Sequence, residues 1–222
     1  AFRTRDMETA KKSFADRGFS FLRPPFTYMA SWTKSVVKEG ILIGPDGLHI
    51  AFIQKVDPPA KPPLAGDFGD MTDSAQIVHS IDECADFYQE GLGLAYVGDQ
   101  VMGAGELDEF LDLPAGSIVR IAFFIDPKRP EYPPVEVLEL SRDGKRLRGP
   151  DLAPASRGTN VGALAISVAT DDLAGSLARL SALQYRIFAA PAELTLAGVG
   201  NLRFAYVEAP SRIVLRLEEL VR

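Results

Sequence analysis

Short runs of alternating or continuous apolar residues, each followed by an acidic helix start and an amphipathic stretch, recur three times along the chain. The first copy begins AFRTRDMETAKKSFADRGFSFL, the second SAQIVHSIDECADFYQEGLGLAYV and the third ALAISVATDDLAGSLARLSALQYRIF. In the third, Leu173, Leu177, Leu180 and Leu183 fall at three- and four-residue spacing, so they line one helical face that must be buried. Met7, Ala10 and Phe14 do the same in the first copy, and Gly18 ends the helix. In the second, Ala85 and Tyr88 share a face, with Gly91 and Gly93 as stops. Strand patterns follow each helix. Residues 35–43, SVVKEGILI, meet the turn Gly44-Pro45-Asp46-Gly47, and LHIAFIQ (48–54) resumes the strand. NLRFAYVEA, Pro210-Ser211-Arg212 and IVLRLEEL repeat that order, and the spans Asp6–Pro45 and Asp172–Pro210 agree to within one residue. The second copy has VRIAFFI (119–125) and VEVLEL (135–140) around the loop DPKRPEYPP. The predicted unit is β-α-β-β-β, three times over.

Between the first two copies, KVDPPAKPPLAGDFGDMT (55–72) is rich in proline and glycine and carries no periodicity, so it reads as an extended connection between compact bodies. Composition narrows the function classes. Among 222 residues, 30 acidic side chains against 24 basic ones leave a net charge of -6, which argues against a nucleic-acid partner. Lys145, Arg146 and Arg148 follow an Asp143-Gly144 turn and read as a solvated loop. No apolar run approaches the roughly 18–20 residues that span a bilayer, so a soluble protein without a membrane partner is expected. The single cysteine, Cys84, has no partner for an internal disulfide and lies beside Asp82 and Glu83, without the positive surroundings of a reactive thiolate. With no secretory core in AFRTRDMETAKK, the expected setting is the reducing cytoplasm. GAGELD (103–108) lacks a full dinucleotide fingerprint, and no nucleotide cofactor is expected.

Phe87, Tyr88, Leu92, Gly93 and Leu94 at the end of the second helix, the Gly44-Pro45-Asp46-Gly47 turn and Asp171-Asp172-Leu173 carry a resemblance. Together with the segment GELDEFLDLPAGSIVRIAFF, they resemble the vicinal oxygen chelate superfamily of glyoxalase I, bleomycin-resistance proteins, methylmalonyl-CoA epimerase and extradiol dioxygenases. The resemblance implies an α+β fold of repeated βαβββ modules, paired so that their curved mixed sheets form a cup with helices outside. On that pattern residues 73–222 form a complete cup from modules 73–145 and 158–222, 59–72 is the linker, and 1–58 is a single module without its mate. Either a further module precedes it, or it pairs with another chain in a homodimer.

The resemblance also implies a divalent metal held by the first and last strands of each paired module. In the second copy these positions fall on Asp73 and Glu139; in the third they fall on Ala165 and Arg216, and the last strand of the first offers Ala51. Asp73 and Glu139 are the expected ligands of a degenerate site. Arg216 is expected to stand in for missing metal charge, pairing with Glu139 or Asp73 or holding an anionic substrate. A register shift would exchange Gln76 for Asp73, and a bulge would exchange Glu218 for Arg216. His79 shares a strand face with Asp73 and reads either as a base or hydrogen-bond donor or as a satisfied rim histidine, while His49 reads as structural. Arg120, a candidate substrate contact, and Glu136 face inward or outward according to register. The expected function is a glyoxalase-like lyase, isomerase or epimerase acting on an oxygenated small molecule, with Glu139 as metal ligand or base. The alternative is a metal-free protein of the same fold that binds or sequesters a small ligand.

Overall fold

In the computed structural model, which describes residues 1–31, 33–45, 48–57, 68–103, 105, 107–147 and 165–221, each repeat closes on itself by one parallel strand pair. The first comprises β1 (Phe2–Thr4), α1 (Met7–Ala15), β2 (Ser20–Phe21), β3 (Phe26–Ala30), β4 (Ser35–Ile43) and β5 (His49–Asp57). The second comprises β7 (Ser74–Val78), a helical segment, β8 (Ala95–Met102), β9 (Ser117–Ile125), β10 (Val135–Arg142) and the short β11 (Lys145–Arg146). The third is β12 (Ile166–Ala169), α2 (Leu173–Ala182), β13 (Ala192–Leu196), β14 (Gly200–Glu208) and β15 (Val214–Val221). In each, the first strand lies parallel to the last: β1 on β5, β7 on β10 and β12 on β15. The remaining strands follow antiparallel, so the helix must cross over one sheet face. Asp46 and Gly47 of the first turn, and most of the loop between the second and third repeats, lie outside the described residues.

Local chemistry explains the helices. Asp6 caps α1, accepting from the Glu8 N–H at 3.1 Å and the Thr9 hydroxyl at 2.6 Å, and Asp172 caps α2 by accepting from the Gly175 N–H. The second helix departs from the expected three regular turns. It is a 3-10 turn over Asp82–Cys84 followed by a π turn over Phe87–Gly91. There Gly91 runs against α2, where a Cβ would lie 2.4 Å from Leu180 Cδ2, so close helix contact needs the bare backbone. Within the expected linker, residues Phe68–Met71 form a strand, β6, antiparallel to β1. Its Phe68 ring sits 5.3 Å from the rings of both Phe14 and Phe52, which anchors that stretch to the first module.

Side-chain alternation sends every strand residue to one of two faces. On the helix-facing side, Val78, Ala122, Phe124, Val135 and Val137 of module two join Leu173, Leu177, Leu180, Val207, Leu215 and Leu217 of module three in one buried cluster. On the other side of module two, Val119, Ile121 and Leu140 pack with Ile41 of module one, and Phe26, Tyr28, Ala51, Phe123 and Leu138 lie against them. Modules two and three therefore share a core through their helices, whereas the open sheet faces that meet belong to modules one and two. The superfamily resemblance implied facing sheets in modules two and three instead. Among the described residues no helix is long and apolar enough to cross a membrane.

Candidate functional site

Between the facing sheets of modules one and two, three carboxyl groups converge on the apolar floor. Glu39 lies on β4 with the parity of Val37 and Ile41, and its Oε2 accepts a 2.6 Å hydrogen bond from the Tyr28 hydroxyl. Glu136 lies on β10 with the parity of Leu138, opposite Ala75 and Phe123. Asp73, 8% exposed, precedes β7 and accepts from the Thr72 hydroxyl at 2.7 Å. The Ala1 backbone nitrogen lies 3.5 Å from Asp73 Oδ1.

Burial dominates the electrostatics here, because a low-dielectric surrounding penalises a charged carboxylate. It pushes Glu39 up to about 7, although the Tyr28 hydrogen bond opposes the rise, and the Asp73 charge adds to it. Glu136 is driven well above the usual carboxylate range, first by burial, then by the charges of Asp73 and Glu39 and by a hydrogen bond shared with Asp73. Burial, with the Glu39 charge behind it, also raises Tyr28, so its hydroxyl stays protonated and donates. Burial thus favours the protonated form over the charged one at both Glu39 and Glu136. A carboxyl poised near neutrality beside a protonated one can take and return protons.

Of the residues singled out from the sequence, Asp73 belongs to this cluster. Glu139 lies three positions from Glu136 and so points to the opposite face. Its side chain, 12% exposed, accepts from the Ile81 N–H at 2.9 Å and from Arg146 Nε at 3.1 Å, tying the helix entry to the sheet. Arg120 sits opposite Glu139 in the ladder and spans Asp99 and Asp82 at 2.6 and 2.8 Å on that same outer face. His79 is exposed beyond β7, and its backbone N–H donates to Ser211 Oγ at 2.8 Å. Arg216 lies on β15 in module three, paired with Glu218 at 2.7 Å and over the Phe204 ring at 5.7 Å. Cys84 is buried and its thiol is pushed up to about 12, chiefly by burial. Two shallow cavities, of about 380 and 200 Å³, lie elsewhere: one beside Lys11, Phe19 and Arg23, the other between Asp126, Asp172 and Arg179.

Glu39 and Tyr28 escaped the sequence reading. A signal for Glu39 existed in SVVKEGILI: adjacent Lys38 and Glu39 must point to opposite faces of an otherwise apolar strand, so each face receives one charge.

The donors do not fit the divalent ion that the superfamily resemblance implied. Among the described residues no group of three or more histidine, cysteine, aspartate and glutamate side chains converges as a metal site. Asp73 and Glu136 share a hydrogen bond, Glu139 faces away, and the remaining strand positions carry Ala51 and Arg216.

With Glu139 removed from the site, Glu139→Ala is expected to lower stability by about 1–2 kcal/mol through the lost acceptor for the Ile81 N–H, while leaving the Glu39 titration in place. Urea unfolding and a carboxyl NMR titration of the variant check both halves; a Glu39 midpoint displaced to the ordinary carboxylate range would contradict this placement.

No protein-family model and no curated protein matches the chain in sequence. Solved structures do match in shape. Glyoxalase I from Zea mays superposes with a TM-score of 0.58 at 16% identity, over 98% of this chain and 66% of that one. A glyoxalase family protein from Bacillus cereus gives 0.54 at 18% identity, over 73% of this chain and 99% of that one. The chain thus spans about two thirds of the length of the maize protein. At these identities the likeness is one of fold.

Proposed function

We propose that this chain, which has the vicinal oxygen chelate fold, uses the cup between modules one and two to act by proton transfer on a small oxygenated molecule. Glu39 is the base, and the Glu136–Asp73 pair holds the proton that is returned. The observation that carries this reading is the burial of two carboxyls on facing sheets, Glu39, held by the Tyr28 hydroxyl at 2.6 Å and pushed up to about 7, and Glu136, driven well above the usual carboxylate range. The matching reaction is isomerisation or epimerisation at a carbon next to a carbonyl. Glu39 removes the C–H proton, the electron pair moves into the enolate, and a carboxylic proton returns to the carbon skeleton from the other sheet. Tyr28 orients Glu39 through the 2.6 Å hydrogen bond. A base whose pKa lies near the working pH combines availability with driving force.

A second reading, a binding or sequestering module without turnover, draws support from the apolar side chains that fill the floor, Ile41, Ile121, Phe26 and Leu138 among them. The two readings separate on one substitution. In D2O near neutrality, a panel of α-hydroxy and α-oxo carbonyl compounds followed by proton NMR is expected to contain one whose α-proton exchanges with the protein present. Glu39→Gln should slow that exchange by about 10²-fold or more. Exchange that survives in a folded Glu39→Gln protein would overturn the catalytic role, and a ligand bound without exchange by both proteins would select the binding reading.

A further inference from the structure

On the helix side of module one, a cleft of about 380 Å³ opens between the second half of α1 and the chain that carries β2. Phe19, Phe21, Leu22 and Pro24 supply its apolar walls, and Lys11 and Arg23 stand among them. Among the described residues the lining holds these two cations and no acid, in a chain whose net charge is -6. The inner wall is preformed. Phe21 pairs with Leu42 in the ladder and lies over Gly40, where a Cβ would come within 2.5 Å of its ring. Bare backbone admits the ring there, and Phe14 meets it edge-on with centroids 6.5 Å apart.

The two cations are committed unequally. Arg23 is ion-paired with Asp112 of module two, both side chains being about half exposed. Lys11 makes no ion pair among the described residues, and Glu8, one turn before it on α1, is held by Lys38 at 2.6 Å. We infer that this cleft binds a small organic acid with an aromatic or branched apolar body, its carboxylate on Lys11 and Arg23 and its body against Phe19, Phe21 and Pro24. The size fits, since small-molecule sites run from roughly 300 Å³ upward. A neutral ligand would leave Lys11 unanswered, and an inorganic anion would leave the apolar walls in water. The ligand carboxylate reaches Arg23 in competition with Asp112, so binding weakens one tie between modules one and two. The inference does not rest on the acid cluster or on proton transfer, because Glu39 and its neighbour Gly40 point to opposite faces of β4.

Phenylacetate is the probe, with phenylacetamide as its uncharged counterpart of nearly equal size. Followed by carbon–proton NMR, phenylacetate should shift the Ala15 methyl and the Phe19 ring saturably, while the Ile121 methyls on the cup floor stay in place. A dissociation constant of about 1 mM or tighter is expected for a ligand of this size. Phenylacetamide should bind about tenfold more weakly, the worth of one charge-assisted hydrogen bond. Lys11→Gln should weaken phenylacetate by a similar factor, and Ala15→Trp, at an exposed helix position, should fill the cleft and abolish the saturable shifts. Asp112→Asn acts in the other direction. It releases Arg23 and should tighten phenylacetate binding about threefold, which an ion pair serving the fold alone would not do. Equal affinity for the acid and the amide overturns the inference, as do shifts that never saturate or that fall on Ile121 instead of Ala15 and Phe19. An Asp112→Asn protein whose affinity is unchanged or weaker overturns the competition for Arg23.

Discussion

Between pH 4.5 and about 7 the protein is expected to lose stability as the pH rises, and Glu39→Gln is expected to remove much of that loss. In the folded chain the Glu39 carboxyl holds its proton up to about 7, whereas the unfolded chain releases it near 4.5. Across that window the folded state binds more protons than the unfolded state, so the slope of stability against pH is negative. The contribution is fully present below 4.5, declines through the window and is gone above 7. Taken alone the shift corresponds to roughly 3 kcal/mol, and the partial exposure of Glu39 holds the realised share below that. Glu136 acts in the same sense, because its carboxyl is also raised by burial. Asp6 and Asp108 work the other way, with carboxyls held below their usual range by hydrogen bonds, and their contribution is lost at more acid pH, outside this window. Urea midpoints measured every half pH unit from 4.5 to 8.5 should fall for the wild type and flatten for Glu39→Gln. Parallel profiles for the two proteins would contradict a protonated acid in the cup.

Phe87→Ala is expected to cost about 3–5 kcal/mol, the range for deleting a fully buried aromatic ring. Phe87 has no exposed surface and meets the Tyr88 and Tyr185 rings edge-on, with centroids 5.1 and 4.8 Å away. Tyr185 comes from module three, and its hydroxyl donates to Asp86 at 2.7 Å, beside the turn that carries Phe87. The ring therefore joins two modules, and its loss opens a void at the seam that the Gly91 to Leu180 approach keeps tight. Urea unfolding checks the magnitude. A loss below about 1 kcal/mol would mean that the shared core of modules two and three is not continuous there.

The order of elements was readable because periodicity switches cleanly at each helix and turn. SVVKEGILI coincides with β4, and the leucine stripe at 173–183 runs the length of α2 and onto its cap. The inward face of each strand was not readable. In β9 and β10 both faces are largely apolar, with Val119 and Ile121 on one side and Ala122 and Phe124 on the other, so alternation cannot choose between them. That ambiguity placed Glu139 in the site, although it serves the helix entry, and left Glu136 undecided. Which modules face each other was equally hidden. It depends on contacts such as Ile41 with Val119 and Ile121, far apart in sequence, while the helix stripes of modules two and three look alike whether or not their open faces meet. The regular helix expected at 82–91 is a 3-10 and a π turn, and its last residue, Gly91, passes against α2, a tertiary contact that local pattern does not contain.

The central claim, that acids from two modules share a buried cup and hold protons at neutral pH, is tested most directly by carboxyl carbon NMR titration of Glu39 and Glu136 in the intact chain. The predicted result is a Glu39 midpoint at about 7 and a Glu136 midpoint well above the usual carboxylate range, with Glu39→Gln lowering the Glu136 midpoint. Two independent midpoints near 4.5 would contradict it.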